Sequence, residues 1–275
     1  MRIVQESVQS TRRMAAETGF SQTTVMNILK DARLRSYRPE FVQQLTANDR
    51  VLRANFATLW QGRVAAHGHN WEDKVLWTDE AIFKLNGKIN RHNYSIYAYE
   101  NPHVQLEIPQ RSPGLHVWLG IYSNGLIGPF FLNGNVTAVS YMAMLQTQVI
   151  PAVMGIPNWG QIIWQQDGAP PHWALIVRAY LNGIFGANWI GRDGPIQWPP
   201  RSPDLTPPDF FVWGSLKDSV YRTRPTTLAE FRTSIIQSCA EINQQMCQNA
   251  CRSVTDRLQI CLNRNRAQVS TTKYQ

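Results

Sequence analysis

Long apolar runs are missing from this chain. No stretch of about 18 or more apolar residues occurs, so no membrane-spanning helix is expected. The opening Met1-Arg2-Ile3-Val4-Gln5-Glu6-Ser7 lacks the apolar centre of a secretion signal. Both absences point to a protein that stays inside the cell. Cysteine is scarce. Cys239, Cys247, Cys251 and Cys261 all lie in the last stretch, with no C-x-x-C pair and no histidine placed to complete a zinc set. They are expected as reduced thiols packed in a helical region, without a structural metal. Charged residues are few, 17% against 43% hydrophobic, which excludes wholesale disorder. Acidic residues are in deficit, 19 against 27 Lys and Arg. The resulting net charge of +8 favours a polyanionic partner, nucleic acid ahead of a membrane surface.

What is present separates into three regions: 1–32, short helices; 33–72, a basic, helix-leaning connector; and 73–275, apolar strand-like runs alternating with helical ones. The connector carries Arg33, Arg35, Arg38, Arg50 and Arg53. In the third region Val75 to Leu85 and Tyr94 to Tyr99 read as strands. Leu115 to Tyr122 and Ile127 to Leu132 flank a turn at Ser123-Asn124-Gly125. Tyr141 to Met154 has helical spacing, and Gln161 to Gln166 reads as a short strand. Helical patterns follow at Trp173 to Ile184, Pro208 to Tyr221 and Thr227 to Glu241, with a brief strand at Ile196 to Trp198. Strands followed by alternating strands and helices predict an α/β domain whose sheet is covered on both faces.

Thr11 to Lys30 fits a helix-turn-helix. Ala15 is small where two helices would cross, Gly19 tolerates positive φ in the turn, and Val25 anchors the second helix, with Ile28 and Leu29 continuing its apolar face. Ser21 is a candidate N-cap. Gln22, Thr23, Thr24 and Asn27 then lie on the outer side, where short polar side chains can read a major groove. Lys30, Arg33, Arg35 and Arg38 extend the surface with cations for phosphate. A helical hairpin that merely packs would show the same pattern. The basic balance and the connector favour DNA binding.

Three aspartates stand out. Asp79, in Trp77-Thr78-Asp79-Glu80-Ala81, shares a strand face with Val75, Trp77, Ala81, Phe83 and Leu85, and a carboxylate there is costly unless it is paired or bound to a cation. Glu80 points to the other face and is a weaker candidate. Asp167, in Gln165-Gln166-Asp167-Gly168-Ala169, ends a strand, where open α/β sheets place ligands. An ordinary turn aspartate would look the same. Asp209 follows Pro207-Pro208 in helix-start chemistry, while Asp204, between Pro203 and Leu205, fits a turn or a cap. His172 has a structural or helix-start role at least as readily as a phosphate contact. Lys217 and Arg222 fit a solvated basic face as well as they fit phosphate binding.

Taken together, these segments resemble the Tc/mariner transposase superfamily. The resemblance runs over nearly the whole chain: the helix-turn-helix, Trp77-Thr78-Asp79-Glu80, Glu100-Asn101-Pro102-His103, Gln165-Gln166-Asp167-Gly168-Ala169, and the block from Trp198 to Lys217. The last two blocks are the most specific. The resemblance implies an RNase H-like mixed sheet flanked by helices, preceded by the small helical segment, with catalytic and metal-binding residues at Asp79, Asp167 and Asp209. The third site falls on Asp209 rather than Asp204, because it follows the Ser-Pro-Asp-Leu-x-Pro stretch. Two Mg²⁺ ions, replaceable by Mn²⁺, are implied, with Asp79 bridging them. The implied activity is strand cleavage and strand transfer at transposon ends by a homodimer on double-stranded DNA, with terminal inverted repeats and target DNA as partners, no membrane, and a nuclear location. Asp167→Asn is expected to abolish cleavage while folding survives, because repulsion among clustered carboxylates is relieved.

Two departures accompany the resemblance. Forty-one residues separate Asp167 from Asp209, more than in mariner itself, and the extra length is expected as a loop around Phe185 to Gly194. Only one helix-turn-helix is legible where the family carries two, so the chain reads as N-terminally shortened. A catalytically silent, domesticated DNA-binding protein and a general RNase H-like nuclease are the alternative functions.

Overall fold

The computed structural model describes residues 11–34, 43–85 and 113–269. The chain divides into two compact units, Met1–Val42 and Gln43–Gln275. The Tyr94 to Tyr99 strand, the Glu100-Asn101-Pro102-His103 motif, Arg35 and Arg38 lie outside the described residues.

In the smaller unit, α1 (Thr11–Thr18) and α2 (Gln22–Asp31) pack together. Gly19 turns the chain at φ +74° and closes α1 by donating its amide to Ala15. Ser21 caps α2, its hydroxyl accepting from the Thr24 amide at 3.1 Å. Val25 is buried, but Ile28 is 46% exposed, so the apolar face expected to continue through Ile28 does not. Two short helices have too little partner surface to bury a second stripe.

The larger unit opens with α3 (Ala47–His67) and α4 (His69–Glu72). A Thr46–Asp49 capping box starts α3. Its buried residues Asp49, Arg53, Phe56, Ala57 and Trp60 recur at helical spacing. Trp60 meets Trp71 and Trp77 at ring separations of 4.7 and 5.4 Å. Both helices belong to the larger unit, Gln43–Gln275. The Arg-rich reading of 33–72 concealed an inward stripe, with Phe56, Ala57, Trp60 and Trp71 packed into the core of the larger unit.

A six-stranded mixed sheet follows, in the order β3-β2-β1-β4-β5-β6. Strands β1 (Val75–Lys84), β2 (Gly114–Tyr122) and β3 (Gly125–Leu132) form an antiparallel meander. The short β4 (Ile163–Gln165), β5 (Trp189–Gly191) and β6 (Ile196–Gln197) continue it in parallel from the other edge of β1. Here β5 corrects the loop expected from Phe185 to Gly194. Trp189, Ile190 and Gly191 are buried, and a three-residue strand between Gly- and Asn-rich turns leaves no periodicity to read.

Between β3 and β4 lie α5 (Ala138–Met144), a π-helical turn at Leu145–Val149 and α6 (Ile150–Met154). Pro151, which has no amide to donate, stands just beyond the widened turn and accounts for the break in the single helix expected there. Next come α7 (Pro170–Trp173) and α8 (Leu175–Phe185), then α9 (Trp213–Arg222), α10 (Leu228–Ala240) and α11 (Gln244–Asn263). Strand alternation sorts the core into two. Trp77 and Leu119 enter the cluster under α3, α9, α10 and α11, while Leu76 and Trp118 enter the one with α5, α6 and α8. All four cysteines are buried and free, and burial pushes Cys239 up to about 12, which keeps it an inert thiol.

Candidate active site

Strand β4 pairs β1 only from Val75 to Trp77. Beyond Trp77 that edge of β1 has no β4 partner, and Asp79 and Glu80 stand where the sheet opens into a cleft of about 650 Å³. Asp167 and Asp209 line the same cleft, with Gly168, Arg192, Asp193 and Arg201. The Thr78 hydroxyl donates to the Gln165 carbonyl at 2.7 Å, which ties the middle of β1 to the strand end that delivers Asp167.

Asp79 accepts a 2.6 Å hydrogen bond from the Trp213 indole and forms no ion pair among the described residues. Desolvation, then the charges of Asp209, Glu80 and Asp167, push its carboxyl well above the ordinary range. Asp167 Oδ1 accepts from the Ala169 amide at 3.0 Å and from His172 Nδ1 at 2.5 Å. Burial pushes it up, but the hydrogen bond and charge of His172 more than offset this, and it ends below the usual range. Asp209, exposed in a π-helical turn at Pro208–Val212, accepts from the Thr206 hydroxyl at 2.5 Å. Desolvation first, and then Asp167, push it up to about 6, against that hydrogen bond.

His172 and Glu80 line the site, although from sequence Glu80 is a weaker candidate and His172 fits a structural role at least as readily. The buried His172 donates from Nδ1 to Asp167 and lies with Nε2 3.1 Å from Glu80. Burial opposes its charge, but the Glu80 charge and the Asp167 hydrogen bond prevail and raise it to about 10, so it is an imidazolium at neutral pH. Strict alternation hid Glu80, because it cannot show that β1 loses its neighbour after Trp77. A histidine five residues past Asp167 was the available signal. Asp204 lies elsewhere, buried in an ion pair with Arg53, and Asp209 is the aspartate of that block that reaches the cleft.

Among the described residues no three acidic, His or Cys side chains stand close enough to hold a metal ion. Each of the three carboxylates is turned onto its own protein donor: Asp79 onto Trp213, Asp167 onto His172 and Asp209 onto Thr206. Their chemistry nevertheless fits a divalent cation. Among the described residues, Asp79 is desolvated among three carboxylates and takes its one hydrogen bond from a neutral indole, and Glu80 Oε1 is buried without a hydrogen-bond partner. Hard oxygen donors with excess negative charge suit Mg²⁺ or Mn²⁺.

In the smaller unit, Gln22 Nε2 donates to Thr11 at 3.0 Å and ties α2 to α1, while the Thr24 hydroxyl pairs with its N-cap Ser21 at 2.8 Å. Thr23, Asn27, Lys30 and Arg33 are exposed. Arg53, expected among the basic residues of the connector, is fully buried and unavailable to a phosphate.

A mixed sheet with helices on both faces and acidic residues from β1, the end of β4 and a late helix start defines the RNase H-like class. No family model matches the chain. It is 24% identical over 243 residues to the transposable element Tc3 transposase of Caenorhabditis elegans, covering 86% of this chain and 68% of that protein. It superposes on the Mos1 transposase paired-end complex with left transposon end at a TM-score of 0.77 and 19% identity, covering 94% of this chain and 75% of that one. The Mos1 mariner paired end complex with Mn gives 0.77 and 19%, over 96% and 77%. At these identities the structural likeness establishes the fold. In sequence the chain is similar to the Tc3 transposase, and in fold it matches the Mos1 transposase.

Proposed function

We infer that this protein is a DNA transposase that carries out metal-dependent strand cleavage and strand transfer at transposon ends. The observation that carries the reading is the meeting of Asp79, Asp167 and Asp209 in one cleft of a Mos1-like fold, although the chain spaces them far apart. Asp79, Asp167 and Asp209 are the groups that would hold two divalent ions. Such a pair, when bound, activates an attacking oxygen and stabilises a leaving one in an in-line displacement.

The chain's own residues prepare that site. Trp213 fixes one oxygen of Asp79, Thr206 fixes one of Asp209, and His172 bridges Asp167 and Glu80 through its two ring nitrogens. The helix-turn-helix supplies Thr23, Asn27, Lys30 and Arg33 for duplex DNA, with Gln22 and Thr24 stabilising the reading helix. Arg35 and Arg38 belong to the same proposed contact surface. Action on two transposon ends and a target fits a homodimer working in the nucleus.

The test is Mg²⁺- or Mn²⁺-dependent nicking of DNA carrying the element's ends. The purified protein nicks in the presence of metal, and Asp79→Asn, Asp167→Asn and Asp209→Asn do not. Equal nicking by parent and variants would overturn the site assignment. Absence of nicking by a parent that binds DNA tightly would replace the enzyme reading with a binding one.

A further inference from the structure

Beside the carboxylates, the cleft carries a cation whose mounting the reading above leaves unused. Arg192 follows β5, in the segment that lengthens the path from Asp167 to Asp209. Its guanidinium carbon lies 3.8 Å from the centre of the Trp173 ring. Its aliphatic stem packs over Gly168, where an added Cβ would come within 3.2 Å of the Arg192 Cβ and Cδ. The glycine next to Asp167 thus lets the arginine lie flat against the strand end.

Trp173 is itself fixed. Its indole donates to Asp193 at 2.6 Å, and Arg178 donates from Nε to its carbonyl at 3.0 Å. Asp193 is spent on this support, and Arg178 approaches it at 3.8 Å. Arg201, across the cleft, is ion-paired with Asp49. Arg192 forms no hydrogen bond or ion pair among the described residues, and it lines the cleft with Asp167 and Gly168. A guanidinium stacked on an aromatic ring keeps its in-plane N–H groups pointing outward, the geometry that grips a phosphate with two parallel hydrogen bonds. The nearby carboxylates repel a loose anion, so a cation held at their rim suits a phosphate that arrives as part of a longer strand. Trp173 is not a stacking platform for a base, because Arg192 already lies over its ring.

We propose that Arg192, held by Trp173 and Gly168, is a positioning residue that binds a backbone phosphate of the DNA strand entering the Asp167 side of the cleft. This rests on the nucleic-acid reading above, and its test does not depend on cleavage.

The full-length protein is bound to duplex DNA with Ca²⁺ in place of Mg²⁺, over a range of salt, for the parent, Arg192→Gln, Arg192→Lys, Trp173→Ala and Arg63→Gln. The last removes one exposed positive charge from α3, outside the cleft. Losing one phosphate contact lowers the slope of log K against log salt by about 0.9. Arg192→Gln and Trp173→Ala show that drop and about tenfold weaker binding at unchanged Tm. Arg192→Lys, which keeps the charge but loses the planar fork, recovers part of the affinity. A single methylphosphonate scanned along the strand finds one position that weakens the parent and leaves Arg192→Gln indifferent, a pattern that a merely structural arginine would not give. Behaviour of Arg192→Gln identical to Arg63→Gln, or no methylphosphonate position sensed through Arg192, overturns the proposal. A parent that binds with this pattern but fails to nick in Mg²⁺ removes the enzyme reading and leaves Arg192 in place.

Discussion

Arg53 holds both carboxylate oxygens of Asp204, at 2.9 and 2.6 Å, across 151 positions of chain. Neither group meets solvent. The guanidinium also donates to Ser202 at 2.7 Å and to the carbonyls of Arg266 and Ala267 at 3.2 Å, while Asp204 accepts from the Val269 amide at 2.8 Å. The pair separates the two aspartates of the Ser-Pro-Asp block. Asp204 anchors the block to α3, and Asp209, two turns on, is presented to the cleft.

Removing one partner of such a pair strands the other charge in the core. Asp204→Ala is expected to lose about 3–5 kcal/mol of unfolding free energy, and Arg53→Met with Asp204→Leu to recover most of it. Urea denaturation of the single and double variants measures both. A loss under about 1 kcal/mol for the single change would contradict a tightly satisfied buried pair.

The three site aspartates differ in sign. Asp79 is raised in the folded protein, so its ionisation costs stability as pH climbs from its unfolded value of about 3.9 toward the raised one. Asp167 is lowered, so its ionisation stabilises above that unfolded value and the contribution is lost as pH falls. In EDTA at neutral pH, Asp79→Asn therefore raises Tm and Asp167→Asn lowers it, and both differences shrink toward pH 3. This revises the relief of repulsion expected for Asp167, because the His172 imidazolium already compensates its charge. Thermal melts of both variants against pH decide the matter, and a rise in Tm for Asp167→Asn would reverse the assignment.

Strand β1 and the β2–β3 hairpin were legible in the sequence, because alternation and a Ser-Asn-Gly turn are local signals. The aspartates at 79, 167 and 209, singled out from local motifs, line one cleft. Strand β5 was not legible, since three residues carry no period. Nor was the place of α3, where Arg50 and Arg53 suggested a basic connector and masked the inward run from Phe56 to Trp60. Glu80 and His172 were missed because their partnership depends on where β4 stops pairing with β1, which is set by tertiary structure. The pose of the carboxylates, each turned onto its own donor, is likewise decided by Trp213, Thr206 and His172, residues distant in sequence or separated from them by a turn.

Asp73 offers a pH test away from the site. Burial pushes its carboxyl up, but hydrogen bonds from Arg252, at 2.7 Å to Oδ2, and from Ser123, at 2.6 Å, bring it below its usual range. A lowered carboxylate stabilises above its unfolded value and loses that contribution as pH falls through the folded one. Arg252→Gln is expected to lower Tm at pH 7 and to converge on the parent in strong acid. A Tm gap that stays constant down to pH 2 would assign the effect to packing instead.

The smaller unit can be disabled by itself. Val25→Asp places a charge at the buried position of α2, so duplex affinity falls steeply and its salt dependence flattens, while the larger unit melts as before. Gel shifts and calorimetry on the full chain separate the two effects. Unchanged affinity would move DNA recognition away from α2.

The closure of the Arg53 pocket by Arg266, Ala267 and Val269 also sets a timetable. Arg53 is synthesised 213 residues before the Arg266 carbonyl it binds. At 5–20 residues per second, a ribosome takes roughly 10–40 s to cover that distance. Until then the guanidinium lacks its final acceptors and the segment carrying Asp209 has no finished anchor. In a nascent chain the Ser-Pro-Asp block that leads to Asp209 is therefore anchored only once the C-terminal segment has been made.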